Sequence, residues 1–199
     1  MGQKTRIGDN MVFWMPQCEI LDDIIEICDK YQFEELDTDY EYMKIEFVGD
    51  YEYHSLEDFE TRFDYYRVTE KICEEKIEPY FLKCWEELQS LNIFKDYEWD
   101  YDDYMCWYVY FTKEFENALK IYDIIDNDIY TIEKIKFSRY KQFINIDFVL
   151  WGHEGLVEDI TNKINKLDYT IADASWNDED GSYDVSCQIG VQTIKIPYK

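Results

Sequence analysis

Aspartate pairs separated by one residue are the first feature of the sequence that could carry chemistry. They occur at Asp37/Asp39, Asp100/Asp102, Asp126/Asp128 and Asp178/Asp180. Such a pair can hold a divalent cation, because Mg²⁺ and Ca²⁺ prefer carboxylate oxygens. Asp and Glu together occupy 45 of 199 positions, however, so several such pairs arise by chance. A small metal-dependent enzyme with Asp and Glu ligands therefore stays an alternative.

Signatures of other catalytic sites are absent from the sequence. The two histidines, His54 and His153, are far apart, and neither has a partner at the spacing of a zinc-protease helix. None of the glycine-rich phosphate-binding motifs or the G-x-S-x-G nucleophile motif is present. His153 is interpreted as a polar residue at the entrance of a helix. We therefore predict a protein without enzymatic activity, cofactor or metal.

The formal net charge of −25 results from 45 acidic and 20 basic residues. This charge is far larger than the magnitude of roughly 2 to 8 that is recommended for the solubility of a small domain. A surface of this sign repels nucleic acid, phosphate and anionic lipid. We therefore predict a basic protein as partner and no direct binding of nucleic acid or membrane.

The acidic residues are clustered rather than dispersed. Eleven carboxylates lie between Glu34 and Glu60 against one base, Lys44. Five more lie between Asp96 and Asp103, and a third cluster spans residues 173–184. In an extended strand, alternate side chains repeat about every 6.6 Å on one face. Such lines of charge have a density comparable with one strand of phosphates, which advances about 3.4 Å per nucleotide.

Aromatic residues alternate with the acids between residues 96 and 103. Tyrosine and tryptophan stack on arginine and anchor protein interfaces. We therefore predict three contact anchors: Tyr97, Trp99 and Tyr101. We predict these phosphate surrogates: Asp37, Asp39, Glu41, Asp96, Glu98, Asp100, Asp102 and Asp103. Five unpaired carboxylates cannot be buried, so the rings beside them are expected to be exposed or half-exposed. The residues from Tyr104 to Phe111 are expected to form a buried or half-buried strand whose aromatic rings belong to the core.

Hydrophobic periodicity and turn residues predict an α+β fold. Helices are predicted at residues 18–33, 59–77, 81–91, 113–125 and 154–166, with a break at Pro79. Strands are predicted at residues 10–15, 40–48, 104–111, 129–137, 143–151, 168–175 and 183–196, with Asp180-Gly181 as the last hairpin turn. The pattern places a mainly antiparallel sheet in the C-terminal half and concentrates helices in the N-terminal half. We predict one domain, residues 1–199, with a possible subdivision into residues 1–95 and 96–199.

Localisation is predicted from the absence of targeting segments. The N-terminal apolar run is too short for a signal peptide, and no stretch approaches the length of a membrane span. The six cysteines lack C-x-x-C pairs, and four of them, Cys18, Cys28, Cys73 and Cys84, fall on apolar helical stripes. We therefore predict a cytoplasmic protein with reduced core cysteines.

In charge and length the chain resembles acidic, phage-encoded inhibitors that mimic nucleic acid, such as anti-CRISPR and anti-restriction proteins. This resemblance implies a non-enzymatic inhibitor that occupies the basic nucleic-acid channel of a nuclease or host defence complex. An immunity protein that neutralises a basic bacterial toxin is the alternative within the binding class, because the same kind of surface serves both functions.

Overall fold

The computed structural model describes residues 4–7, 11–14, 19–50, 55–126, 132–140 and 143–190. The chain forms two compact units. The first unit comprises Ile7–Met11 and Glu19–Phe111, and the second comprises Met1–Arg6, Val12–Cys18 and Thr112–Lys199. Both contain helices and antiparallel strands, so the predicted α+β class is confirmed.

A four-stranded antiparallel sheet with helices on one side forms most of the first unit. Its elements are α1 (Glu19–Lys30), β3 (Phe33–Thr38), β4 (Tyr42–Phe47), α2 (Arg62–Ile72), a π-helical turn (Cys73–Ile77), α3 (Glu78–Ser90), β5 (Phe94–Trp99) and β6 (Cys106–Phe111). The strand order is β3-β4-β6-β5. Two short strands, β1 (Lys4–Ile7) and β2 (Met11–Trp14), precede these elements and pair with each other.

The inner face of this sheet packs against α1 and α3. Phe81 of α3 stacks on Trp107, with ring centroids 4.7 Å apart and planes at 10°, and it also contacts the edges of Phe33 and Tyr97. One stripe of α1 carries an apolar residue every four positions, at Ile20, Ile24 and Cys28, and these three are buried. This aromatic core fixes which side of the sheet faces the helices.

Pro79 does not end the helical segment, contrary to the predicted break. The backbone stays helical from Arg62 to Ser90, and the strain is absorbed by the π-helical turn that precedes the proline. Proline has no N–H to donate to the carbonyl four residues earlier, and its ring crowds that carbonyl. The Glu78 N–H instead donates to the Cys73 carbonyl five residues back, which widens the turn and accommodates the ring.

The second unit contains the other four-stranded antiparallel sheet. Its elements are α4 (Lys113–Asp126), β7 (Ile132–Tyr140), β8 (Phe143–Leu150), α5 (Glu154–Asn165), β9 (Thr170–Asn177) and β10 (Ser182–Ile189), with strand order β7-β8-β10-β9. α4 packs on β8 and β10, and α5 packs on β9. Gly181 closes the hairpin between β9 and β10 at φ +69°, which confirms the predicted Asp-Gly turn.

The positions of the cysteines and of His153 bear on two predictions, that of buried thiols and that of a residue at a helix entrance. Five thiols, those of Cys28, Cys73, Cys84, Cys106 and Cys187, are free and buried, which confirms the prediction made for Cys28, Cys73 and Cys84. The His153 Nδ1 accepts the Leu156 N–H at 3.2 Å and caps α5, which confirms its interpretation as a residue at a helix entrance. Cys18, His54 and Asp128 lie outside the described residues. The predictions for Cys18 and for the pair Asp126/Asp128 therefore lie outside them as well.

Candidate partner-binding surface

The pleat of β5 separates the acids of its sequence from the aromatic rings. Asp96 pairs with Tyr110 and Glu98 pairs with Tyr108, whereas Tyr97 pairs with Val109 on the opposite face. Successive residues of a strand point to opposite sides of the sheet, so residues adjacent in sequence here belong to two different surfaces. The acids lie on the outer face, away from α3.

The outer face of the first unit's sheet is named here the acidic face. Its positions follow from the strand register and comprise Glu34, Asp37, Tyr42, Lys44, Glu46, Asp96, Glu98, Tyr108 and Tyr110. Glu34 and Asp37 lie on one edge strand, β3, while Asp96 and Glu98 lie on the other edge strand, β5. The acidic face therefore has carboxylates along both edges.

Three tyrosines occupy the middle of the acidic face. The Tyr42 ring meets Tyr108 at 5.2 Å and Tyr110 at 6.3 Å between centroids, in edge-to-face geometry. The Tyr110 hydroxyl donates to Glu98 Oε2 at 2.9 Å. Burial raises the pKa of Tyr110, and the bond to Glu98 adds to this rise. Burial likewise raises the pKa of Tyr42, helped by the nearby Asp37 and Asp39. Both hydroxyls therefore stay protonated at neutral pH.

Lys44 is paired with Asp100 on this face. Its Nζ lies 2.7 Å from Asp100 Oδ2 and 3.9 Å from Asp103 Oδ2, and it sits 5.3 Å from the Tyr108 ring centroid. Burial acts to raise the pKa of Asp100, but hydrogen bonds from Lys44, the Asp102 N–H and Tyr108 hold that pKa below its usual value. Burial also acts to lower the pKa of Lys44, yet its bond to Asp100 outweighs this and raises it.

Two acidic turns lie at opposite ends of the acidic face. Asp39 and Glu41 belong to the β3–β4 turn, in which the Asp39 N–H donates to the Tyr42 carbonyl at 2.9 Å and the Glu41 carbonyl accepts the Phe111 N–H. Asp102 and Asp103 belong to the β5–β6 turn, and both are exposed. Because β4 and β6 are antiparallel, the two turns extend the line of carboxylates beyond the sheet at its two ends.

The three predicted aromatic anchors are not placed together. Tyr101 is exposed in the β5–β6 turn, with 68% of its surface accessible. Tyr97 is half-buried against Phe81 and Trp85. Trp99 is half-buried as well, and its Nε1–H donates to the Tyr104 carbonyl at 3.0 Å. Tyr97 and Trp99 therefore face the helices, whereas Asp96 and Glu98 face the other way.

The central tyrosines were not predicted as part of this surface. The aromatic residues of 104–111 were expected in the core, which is right for Trp107 and Phe111 but wrong for Tyr108 and Tyr110, since these are half-buried on the acidic face. The alternation of tyrosine with tryptophan, valine and phenylalanine was the available signal. A strand with one apolar and one amphipathic face has this pattern.

One group of potential metal ligands occurs among the described residues. Ligand atoms of Glu46, Asp103 and Cys106 lie within 4.8 Å of one another. Burial and the hydrogen bond with Asp103 raise the pKa of the Cys106 thiol, and the Lys44 ammonium already lies near Asp103.

None of the helices in the part of the chain that the structure describes is long and apolar enough to cross a membrane. No protein-family model, curated protein or solved structure matches this chain.

Proposed function

We propose that the chain is an inhibitor that binds a basic, nucleic-acid-binding protein through the acidic face and blocks access of the nucleic acid. The observation that carries this proposal is the arrangement of carboxylates along both edge strands of one sheet, with three tyrosines between them. The partner is a nuclease or a host defence complex in the cytoplasm, as in the anti-CRISPR and anti-restriction classes.

The spacing of the carboxylates supports nucleic-acid mimicry. Asp96 and Glu98 are alternate residues of β5, so they repeat at about 6.6 to 6.8 Å. The edge strands β3 and β5 are three strand spacings apart, which corresponds to about 14 Å at roughly 4.8 Å per spacing. The major groove of duplex DNA is about 12 Å wide. Two lines of negative charge thus run at a separation comparable with that of phosphates across a groove.

The tyrosines supply the contact area that a purely charged surface lacks. Tyrosine rings bury apolar area and attract the guanidinium groups that line nucleic-acid channels. Tyr42, Tyr108 and Tyr110 form one edge-to-face cluster, which orders the rings before binding. Charge along the edges then steers association, while the rings add short-range affinity.

The proposal is tested by capture of proteins from a bacterial lysate on the immobilised chain, followed by competition. The expected result is retention of a basic protein at low salt that is released by added DNA or RNA, with loss of its own nucleic-acid binding once the chain is bound. An immunity protein would instead retain a toxin that nucleic acid does not release. Retention that is indifferent to both salt and nucleic acid would contradict the proposal.

A further inference from the structure

A second surface of the first unit has a chemistry of its own. A cavity of about 260 Å³ lies between the helical segment and the inner face of the sheet. Its lining residues are Glu70, Glu74, Glu78, Trp99, Tyr101 and Trp107, with Cys73 beside them. Trp99 and Trp107 belong to the inner face of the sheet, so this cavity is distinct from the acidic face.

The three glutamates line one side of the cavity because of the π-helical turn. Residues four apart in an α-helix overshoot a full turn by about 40°, so a long row drifts around the helix. The turn closed by the Glu78 N–H and the Cys73 carbonyl holds more residues, which corrects the drift between Glu74 and Glu78. None of the three carboxylates forms an ion pair with another described residue.

Aromatic rings form the other side of the cavity. The Trp99 and Tyr101 ring centroids are 5.1 Å apart, with the planes at 51°, so the two rings form a corner. The hydrogen bond to the Tyr104 carbonyl fixes Trp99, and stacking on Phe81 fixes Trp107. The Cys73 thiol donates to the same Tyr104 carbonyl at 2.6 Å. These contacts hold Trp99 and Trp107 in place, while Tyr101 remains exposed.

We propose that this cavity binds the guanidinium group of an arginine side chain. A guanidinium is planar and stacks on aromatic rings, and its edge carries N–H donors in a geometry that matches carboxylates. A lysine ammonium is more strongly hydrated and cannot stack, and a quaternary ammonium has no N–H for the glutamates. The volume lies below the roughly 300 to 1,000 Å³ of pockets for drug-sized ligands, which suits a single side chain.

This inference rests on the proposed function only for the identity of the protein that supplies the arginine. A basic nucleic-acid-binding protein presents many arginines, and insertion of one of them would be a second contact, separate from the one at the acidic face. Because the cavity and the acidic face belong to different sides of the sheet, each is testable by itself.

The test uses a capped pentapeptide with one central arginine flanked by glycines, with citrulline and lysine versions as matched probes. Binding is followed at low salt through the indole N–H signal of Trp99 in ¹⁵N-resolved NMR spectra and through tryptophan fluorescence. The arginine peptide is expected to shift the Trp99 signal in a saturable way. The citrulline peptide should leave it unchanged, and the lysine peptide should bind at least about threefold more weakly.

Variants separate the cavity from general electrostatic attraction. The double variant Glu74→Gln with Glu78→Gln should weaken binding of the arginine peptide at least about fivefold, and Tyr101→Ala should weaken it too. The control variant Glu57→Gln with Glu86→Gln makes the same change of charge at exposed positions of the first unit and should bind like the parent protein. Equal binding by the cavity variant and the control variant, or equal binding of the citrulline peptide, would overturn the inference.

The outcomes also distinguish this inference from the proposed function. Loss of nucleic-acid competition with intact binding of the arginine peptide would contradict the proposed function alone. Competition at the acidic face without binding of the arginine peptide would contradict the arginine site alone.

Discussion

Replacing Lys44 by methionine removes the ammonium group that lies 2.7 Å from Asp100. The Asp100 side chain is 12% exposed and that of Lys44 is 19% exposed, so neither group is fully hydrated. Methionine keeps an unbranched apolar stem of similar length, and the change therefore removes the charge more than the packing. Asp100 would remain as a half-buried carboxylate beside Asp103, with only the Tyr108 hydroxyl and the Asp102 N–H as donors.

The loss of unfolding free energy expected for Lys44→Met lies between the values known for exposed and for buried ion pairs. Exposed ion pairs contribute about 0 to 1 kcal/mol, and removal of one partner from a buried pair costs about 3 to 5 kcal/mol. At the exposures of Lys44 and Asp100 we expect Lys44→Met to lower the free energy of unfolding of the first unit by about 2 kcal/mol. For a unit of about 100 residues, a loss of about 2 kcal/mol corresponds to a fall of roughly 8 to 16 °C in Tm.

The stability lost in Lys44→Met should be smaller at low pH than at neutral pH. The folded-state pKa of Asp100 lies below its usual value, which is about 3.9 in an unfolded chain. The ion pair therefore contributes stability above about pH 4, and this contribution is lost as the pH falls through the folded-state pKa. We expect the difference between Lys44→Met and the parent protein to be full at pH 7 and to shrink toward zero as the pH falls through the folded-state pKa of Asp100.

The assay is urea unfolding followed by tryptophan fluorescence, with two further variants. Adding Asp100→Asn to Lys44→Met removes the uncompensated charge and should restore at least half of the lost stability. Lys71→Met is the control, because it makes the same change of charge at an exposed i,i+4 pair with Glu75 and should cost at most about 0.5 kcal/mol. Equal losses for Lys44→Met and Lys71→Met would refute the reasoning.

Three further predictions concern the two cores and a turn. In a Cys18→Ser background, native protein at pH 8 should react with an aromatic disulfide reagent only as fast as it unfolds. The reason is that the described thiols are buried, and burial raises the pKa of Cys73 and Cys187 to about 12. Rapid modification of the native state would contradict this. Phe81→Ala should destabilise the first unit by about 3 to 5 kcal/mol in urea unfolding, and a cost below 1 kcal/mol would show that its stack on Trp107 is unimportant. Gly181→Ala should cost about 1 kcal/mol from backbone strain alone, since nothing lies within 4 Å of the added methyl group, and Gly181→Asn should cost less.

Elements with strong local signals were predictable from sequence. The helix predicted at residues 113–125 is α4, Lys113–Asp126, and the one predicted at residues 154–166 is α5, Glu154–Asn165. Both have a 3.6-residue apolar period that buries one stripe, and α5 begins at a capping residue. The final hairpin was predictable because an Asp-Gly turn specifies its geometry over a few residues.

The edge strands of the first unit were not predictable in the same way. β3 and β5 are rich in Asp, Glu and Lys, which are residues of low strand propensity, and their strand conformation depends on pairing with β4 and β6. The helix predicted from residue 59 begins instead at Arg62, after Thr61, whose hydroxyl accepts the Asp64 N–H.

The composition of the acidic face also depends on tertiary structure. The acids and rings of residues 96–101 were interpreted as one patch, although a strand places Asp96 and Tyr97 on opposite faces. Lys44 was visible as the single base among eleven carboxylates, but its pairing with Asp100 joins β4 to the β5–β6 turn, which is distant in sequence. Sequence clustering thus identified the charge correctly, while the strand register determined which side chains share a surface.

The central claim is that the acidic face, rather than net charge alone, blocks a nucleic-acid site. Its most direct test measures how strongly the chain inhibits nucleic-acid binding by its captured partner, using two variants with four fewer negative charges each. One variant, with Asp37→Asn, Asp96→Asn, Glu98→Gln and Asp103→Asn, changes the acidic face and the turn at its end. The other, with Glu158→Gln, Asp173→Asn, Glu179→Gln and Asp180→Asn, changes exposed residues of the second unit.

We expect the first variant to inhibit at least about tenfold more weakly than the parent protein, since four carboxylates that pair with the partner's basic groups are lost. The second variant should stay within about twofold of the parent at the same salt concentration. Equal weakening by the two variants would contradict the claim, because it would mean that total charge and not the acidic face determines inhibition.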